Sequence, residues 1–341
     1  MRKLLAILLA VFLAGAVEAA TRTQTTVFFQ NAGGQNDSNN PLNLPAGDLI
    51  EARNVRFDIT GAWASRKGYA KHNSSAISGT PTITSLFEWV QSNGTRTFLA
   101  TGSDGVIYES VSAVWTSRKT GLTTGEAQWN WANWKGTTVI GCNGNEQAQN
   151  STDATTWSNL SAPPSGVTTC KLWEVHRGKN WMVPKDSSTV YYAPSDSLDF
   201  TAAGNGSIIV GDPSEGFITG LHSHLGVLLV FKERSIHVLS GATASEFAVA
   251  PLVVGLGALT DETIRTVHGL TGTDVFFASD RGVHSLQATD AFGDFRASFV
   301  SQKIQTTWNG LKKNRLNKMS AVFNPTIGEY WLSVTSGGQT A

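Results

Sequence analysis

Few side chains in this 341-residue sequence stand at spacings that do chemistry. His222-Ser223-His224 is the sole close histidine pair. On a strand, residues two apart point to one face and present two imidazoles to a metal ion, yet no third ligand accompanies them, so a structural or solvent-facing pair is the simpler reading. Cys142 and Cys170 are 28 positions apart and match no metal-ligand spacing. They read as two buried thiols, with a disulfide as the alternative in an oxidising compartment. No G-x-S-x-G elbow, G-x-x-x-x-G-K-[ST] loop or H-E-x-x-H pair occurs, so acyl transfer, phosphate cradling and zinc hydrolysis lack their residues. With 26 acidic residues, a carboxylate pair flanking a glycosidic bond cannot be picked out by spacing. The reading is a non-enzymatic chain with no metal or other cofactor.

The remaining candidates are surfaces. Trp129, Trp131 and Trp134 cluster within one strand-like stretch; Trp129 and Trp131 share a face by period 2, which makes the three a candidate exposed aromatic contact surface, with blade-interface packing as the alternative. Lys312, Lys313, Arg315 and Lys318 form the densest basic run, a candidate channel or interface cluster whose simpler reading is a solvated helix end. Ser151-Thr152-Asp153-Ala154-Thr155-Thr156-Trp157 resembles the Asp-box of sialidase-like propellers, S-x-D-x-G-x-T-W, one residue short and without the glycine. In that family the box is a blade turn and does no chemistry.

The elements that must carry these residues form a repeat. An apolar strand, a turn rich in Gly, Asp, Asn or Ser and a second strand recur with turns near 103, 144, 186, 233, 281 and 337. The intervals are close to one propeller blade, about 40 to 50 residues. Each hairpin is preceded by a further apolar strand: 83–90, 127–134, 168–175, 217–225, 264–270 and 319–323. Weaker outer strands are expected around 113–115, 155–157, 199–200 and 246–248. The expected fold is therefore all-β, a β-propeller of about six blades over residues 81–341, in which stacked blades bury one another's faces. Residues 21–80 form an extended N-terminal segment whose hairpin, 53–58 against 61–66, supplies strands that close the ring. Ile304, Trp308 and Leu311, behind Ser301 as N-cap, mark the one amphipathic helix outside the leader.

Residues 1–20 read as a secretory signal: Met1-Arg2-Lys3, an apolar run from Leu4 to Val17, and small residues for cleavage at Ala19 or Ala20. No other segment is long and apolar enough to span a bilayer, which takes about 20 residues. At the other end Ile327–Thr335 reads as a strand followed by a turn at Ser336-Gly337-Gly338 with no returning strand, the pattern of a truncated C-terminus. Charged residues are 15% of the chain and cancel at 26 against 26, which excludes a strongly basic nucleic-acid binder and an acidic disordered chain.

With the repeat in place, the sequence resembles the propeller-type tail nozzle (tubular tail) proteins of short-tailed bacteriophages. The likeness runs from Gly33-Gly34-Gln35-Asn36-Asp37 through Pro41-Leu42, Leu44-Pro45-Ala46-Gly47 and Ala52-Arg53-Asn54-Val55-Arg56-Phe57-Asp58. It continues in the hairpins Leu229–Val238 and Val275–Val283 and covers roughly 28–335. The resemblance implies a virion protein assembled in the host cytoplasm. Several copies, typically six, join the tail adaptor and other tail proteins as a tube that holds double-stranded DNA and passes it out. A net charge of zero suits a lumen along which DNA slides. The leader and the tryptophan cluster support a competing expectation: an exported, periplasmic or secreted propeller that binds glycans or envelope partners. An exported propeller hydrolase is a third.

Overall fold

A strand covered on both faces tolerates an unbroken apolar run, whereas a strand with one wet face alternates. The second strands of successive sheets here are of the first kind: Thr138–Cys142 and Lys179–Val183 are buried at every position. They are sandwiched because the sheets stack face to face around a ring. The structure is a computed structural model that describes residues 33–57, 62–269, 272–289 and 294–335.

Two short pairs come first, the parallel β1 (Gly34–Gln35) with β2 (Asp48–Leu49), and the hairpin β3 (Val55–Phe57) with β4 (Trp63–Ser65). Five antiparallel four-stranded blades follow. Blade 1 is β5 (Ile83–Val90), β6 (Arg96–Gly102), β7 (Val106–Val111) and β8 (Val114–Lys119). Blade 2 is β9 (Asn130–Trp134), β10 (Thr138–Cys142), β11 (Gln149–Ser151) and β12 (Ser158–Asn159). Blade 3 is β13 (Leu172–His176), β14 (Lys179–Val183), β15 (Thr189–Tyr192) and β16 (Gly206–Ile209). Blade 4 is β17 (Ile218–His224), β18 (Val227–Lys232), β19 (Ser235–Ser240) and β20 (Ala248–Val254). Blade 5 is β21 (Arg265–Gly269), β22 (Gly272–Ala278), β23 (Val283–Thr289) and β24 (Asp294–Phe299). A short helix α1 (Gln305–Asn309) leads to a last hairpin, β25 (Ser320–Asn324) with β26 (Glu329–Ser333).

The fold class is thus a β-propeller, but the described residues form five blades and not six. In the position where a sixth would stand, the last hairpin and β3–β4 lie side by side as separate two-stranded sheets. Arg56 of β3 bonds Glu329 of β26 at 2.5 Å, and the Arg66 guanidinium stands 5.1 Å from the centre of the Trp331 ring. The turn of the last hairpin falls between Asn324 and Glu329, upstream of Ser336-Gly337-Gly338, which lies outside the described residues. The expected leader, with its expected cleavage at Ala19 or Ala20, also lies outside them. No described helix is long and apolar enough to cross a membrane.

The expected amphipathic helix is shorter than its pattern: a 3-10 turn Gln302–Ile304, then α1, with Trp308 and Leu311 buried. Ser301 is not its cap, since its hydroxyl accepts from the Val283 amide instead. The exposed N–H groups of Thr306 and Thr307 are taken by the two carboxylate oxygens of Asp37, at 3.1 and 3.0 Å. A cap supplied from 269 positions away pins the N-terminal segment to the end of the chain. Lys303 strengthens the attachment through Asp48, which Asn36 also bonds.

Candidate functional site

The first strands of the blades, β5, β9, β13, β17 and β21, surround the ring axis. Polar side chains at their ends tie the blades together. Asp261, in the 3-10 turn Asp261–Thr263 before blade 5, reaches to the axis. One carboxylate oxygen accepts from Asn130 Nδ2 of blade 2 at 2.6 Å, the other from the Leu221 amide of blade 4 at 3.0 Å. Asn130 Oδ1 in turn accepts from the Trp173 amide of blade 3 at 2.7 Å. Beside them Thr260 Oγ1 donates to Gln128 Oε1, and Gln128 Nε2 donates to the Met319 carbonyl ahead of the last hairpin. Five positions of the ring are joined through four side chains.

Two more acids share this enclosure. Glu174, on β13, is pushed up to about 8, first by burial and then by the negative charge of Asp261; main-chain N–H groups of Ser223 and Val175 pull the other way. Glu262 is raised to about 6 by burial, opposed by Arg265, whose Nη2 lies 3.1 Å from it. Asp261 itself is raised by burial against the pull of Arg265, and burial lowers Lys171 against the attraction of Asp261 and Glu262. Three half-buried carboxyls around one arginine and one lysine do not all ionise cheaply. Glu174 therefore carries its proton at neutral pH and is able to donate a hydrogen bond or a proton, the property of a general acid. Arg265 is committed to the frame: Nε donates to the Ala321 carbonyl at 2.9 Å and Nη1 to the Ile264 carbonyl at 2.7 Å.

Toward the other ends of these strands lie histidines. His222 shares a 2.7 Å hydrogen bond with Thr266 Oγ1 and its ring stacks 6.5 Å from that of His224. Burial holds His222 down to about 4, with the charge of Arg265 adding to it. Among the described residues no group of three or more His, Cys, Asp or Glu is placed to hold a metal ion.

The surfaces expected from the sequence are placed differently. Trp129 and Trp134 are 4% and 6% exposed, and Trp131 is half-buried, so the three form no exposed platform. Trp129 and Trp131 stack with ring centres 5.3 Å apart, Phe87 of blade 1 covers Trp131, and its Nε1 donates to Ser85 Oγ at 2.8 Å. Gly141 makes this possible, because a Cβ there would lie 2.6 Å from the Trp131 ring. Trp129 and Trp131 are packing between blades 1 and 2, and Trp134 is packing between blades 2 and 3. The basic run is tied down as well: Arg315 pairs with Glu126 at 3.0 Å, Lys318 donates to the Glu126 carbonyl, and Lys313 to the Trp308 carbonyl at 3.5 Å. Lys312 sits half-buried beside it.

Cys142 and Cys170, expected as thiols, are joined in a buried disulfide between blade 2 and the approach to blade 3, with Cα atoms 5.0 Å apart. The Asp-box resemblance is a turn in fact: Asp153 Oδ1 accepts from the Thr155 and Thr156 amides at 2.8 and 2.7 Å, which holds its carboxyl well below the usual range. Ala154 adopts φ +62° where the box has glycine, and Trp157 Nε1 donates to its carbonyl. No sequence motif marked Glu174, Asp261 or Glu262. The only available signal was the acidic pair following Thr260 in a loop between two blades.

Neither a protein-family model nor a curated protein sequence matches the chain. Solved structures do. A streptogramin B lyase superposes with a TM-score of 0.52 at 9% identity, over 82% of this chain and 83% of that one. The extracellular domain of a one-component system protein from B. thetaiotaomicron gives 0.52 at 10% identity, over 83% of this chain and 37% of that one. A gluconolactonase from Xanthomonas campestris gives 0.45 at 13% identity, over 75% and 84%. At such identities the likeness shows the fold alone.

Proposed function

We propose that the chain is a non-enzymatic structural protein of a short-tailed phage tail nozzle, one of several copies around a conduit for packaged DNA. One observation carries this reading. The stretch whose ordered residues resemble that family, from Gly33 to Arg56, is the stretch that straps the two ends of the propeller together through Asp37, Asp48 and Arg56. A family likeness that takes in this strap as well as the blade hairpins Leu229–Val238 and Val275–Val283 fits a role in architecture. The basic run does not argue against sliding DNA, since Arg315 and Lys318 are engaged with Glu126. The test is mass spectrometry of purified virions of the phage carrying this gene: the protein is expected there in a small fixed ratio to the portal. Its absence from virions refutes the reading.

A second reading, an exported binding module, is favoured by the Cys142–Cys170 disulfide, since such bonds persist in oxidising compartments, and by the reading of residues 1–20 as a secretory signal. The aromatic platform first expected for it is buried, which leaves the acidic ring axis as its contact region. Recovery of a mature chain beginning near Ala20 from the periplasm would favour this reading over the first.

A further inference from the structure

On one side the last hairpin is well seated: Arg265 bonds the Ala321 carbonyl, and Tyr330 Oη donates to the Thr263 carbonyl at 2.7 Å. On the other it faces blade 1 across a cleft of about 1010 Å³. Each wall carries an apolar strip, with Arg56, Arg66, Glu262, Arg265 and Glu329 among the charged groups that also line the cleft. Leu86 is 68% exposed on the blade 1 side, and Val322 and Trp331, directly paired across the hairpin, are 55% and 42% exposed on the other. Ile83 and Phe57 extend the two walls. The outer part of the same blade 1 face is already covered, where Ile77 packs on Ala100 and Tyr108. The inner part has no cover among the described residues, in a ring whose other blade contacts are closed by buried clusters.

We propose that residues 22–32 of this same chain fill the cleft. Three observations point to this occupant. The described residues begin at Gly33, whose amide bonds the Gly47 carbonyl beside Asp48, and Asp48 is seven positions from Val55 on the cleft wall. At roughly 3.3–3.6 Å per residue, seven positions span at most about 25 Å and the eleven residues 22–32 reach about 36–40 Å, so the tether is long enough. Its sequence, Thr25-Thr26-Val27-Phe28-Phe29, is β-branched and aromatic and carries no acid, the composition that fits a slot between two apolar strips. A tethered segment is also present at an effective concentration of the order of millimolar, which a second copy of the chain does not reach in dilute solution.

Hydrogen–deuterium exchange on the full-length chain and on its Phe28→Ser/Phe29→Ser variant tests this. Exchange in the variant is expected to rise at least about tenfold over 83–90 and 320–333 while 172–183 stays unchanged. Equal exchange in both proteins overturns the proposal. Should the variant loosen everywhere, the cysteine pair Phe29→Cys with Leu86→Cys, or Phe28→Cys with Leu86→Cys, decides on an otherwise intact chain. A cross-link within the monomer is expected for one of the two. A cross-linked dimer assigns the cleft to a second copy and overturns the proposal, as does no cross-link in either pair.

Discussion

Blades 2 and 3 meet across eleven buried side chains, among them Trp134, Trp173, Met182 and Phe200, with the disulfide inside the contact. The last hairpin and blade 1 stand at an equivalent junction of the ring and share only the rim of a cleft. The difference lies in connectivity. Blade 3 follows blade 2 directly along the chain, so closing their contact orders a short connection. The seam joins the two ends of the chain, and Arg56 must find Glu329 over 273 positions, at a larger cost in loop entropy. In a ring built from one chain, the junction without covalent continuity is the one that needs additional devices. Here these are the Asp37 cap, the Lys303–Asp48 pair and the β3–β4 hairpin.

The contrast is easiest to break at the tight junction. Trp173→Ala is expected to cost about 3–5 kcal/mol in urea denaturation, since it empties a site with no slack. A cost below about 1 kcal/mol would make the two junctions alike. Replacing Cys142 and Cys170 together by alanine is expected to lose roughly 2–4 kcal/mol, and reductant to produce a similar loss in the wild type but none in the variant. At the seam, Leu86→Ala is expected to cost about 1 kcal/mol in the intact chain and less than half of that when Phe28 and Phe29 are already serine; a double-mutant cycle reads the coupling. Arg66→Ala, which removes the cation over Trp331 and its pull on Glu329, is expected to cost about 0.5 kcal/mol by the same measurement.

The ring axis adds a dependence on pH. Glu174 is raised in the folded state to about 8 from 4.5, so between those values the folded protein holds a proton the unfolded chain has lost, and stability falls as pH rises. His222 is lowered to about 4 from 6.5, and between those values the unfolded chain holds the extra proton, so stability rises with pH. His176 and His284 act in the same direction as His222. The urea midpoint is therefore expected to climb to about pH 6.5 and decline toward pH 8. Glu174→Gln should remove the decline and leave the climb in place.

Much of this arrangement was legible in the sequence. Four of the six first strands fall within the expected segments and the other two, β13 and β25, run one residue past them, because an apolar run of five to eight residues bounded by turn formers is a local signal. The blade count was not legible, since it depends on whether two hairpins nearly 270 residues apart pair into one sheet. Nor was the fate of Trp129, Trp131 and Trp134: period 2 shows which side chains share a face and not which face a neighbouring blade covers. Gly141, against Trp129 and Trp131, gave the missing hint that those two rings lie inward. The disulfide was hidden because it joins groups that only the stacking of blades 2 and 3 brings together, and the Asp37 cap because it joins groups that only the closed ring brings together. Asp261 has an ordinary sequence context, and its importance comes from standing where several blades converge.

That convergence bears on traffic through the molecule. With Asp261 bonded to Asn130 on one side and to the Leu221 amide on another, the propeller's own axis is shut by a cross-brace. Nothing as wide as a nucleic acid duplex threads a single ring. If the nozzle proposal holds, the conduit runs between neighbouring copies and not through a ring, and the outer surfaces of the blades face what slides past.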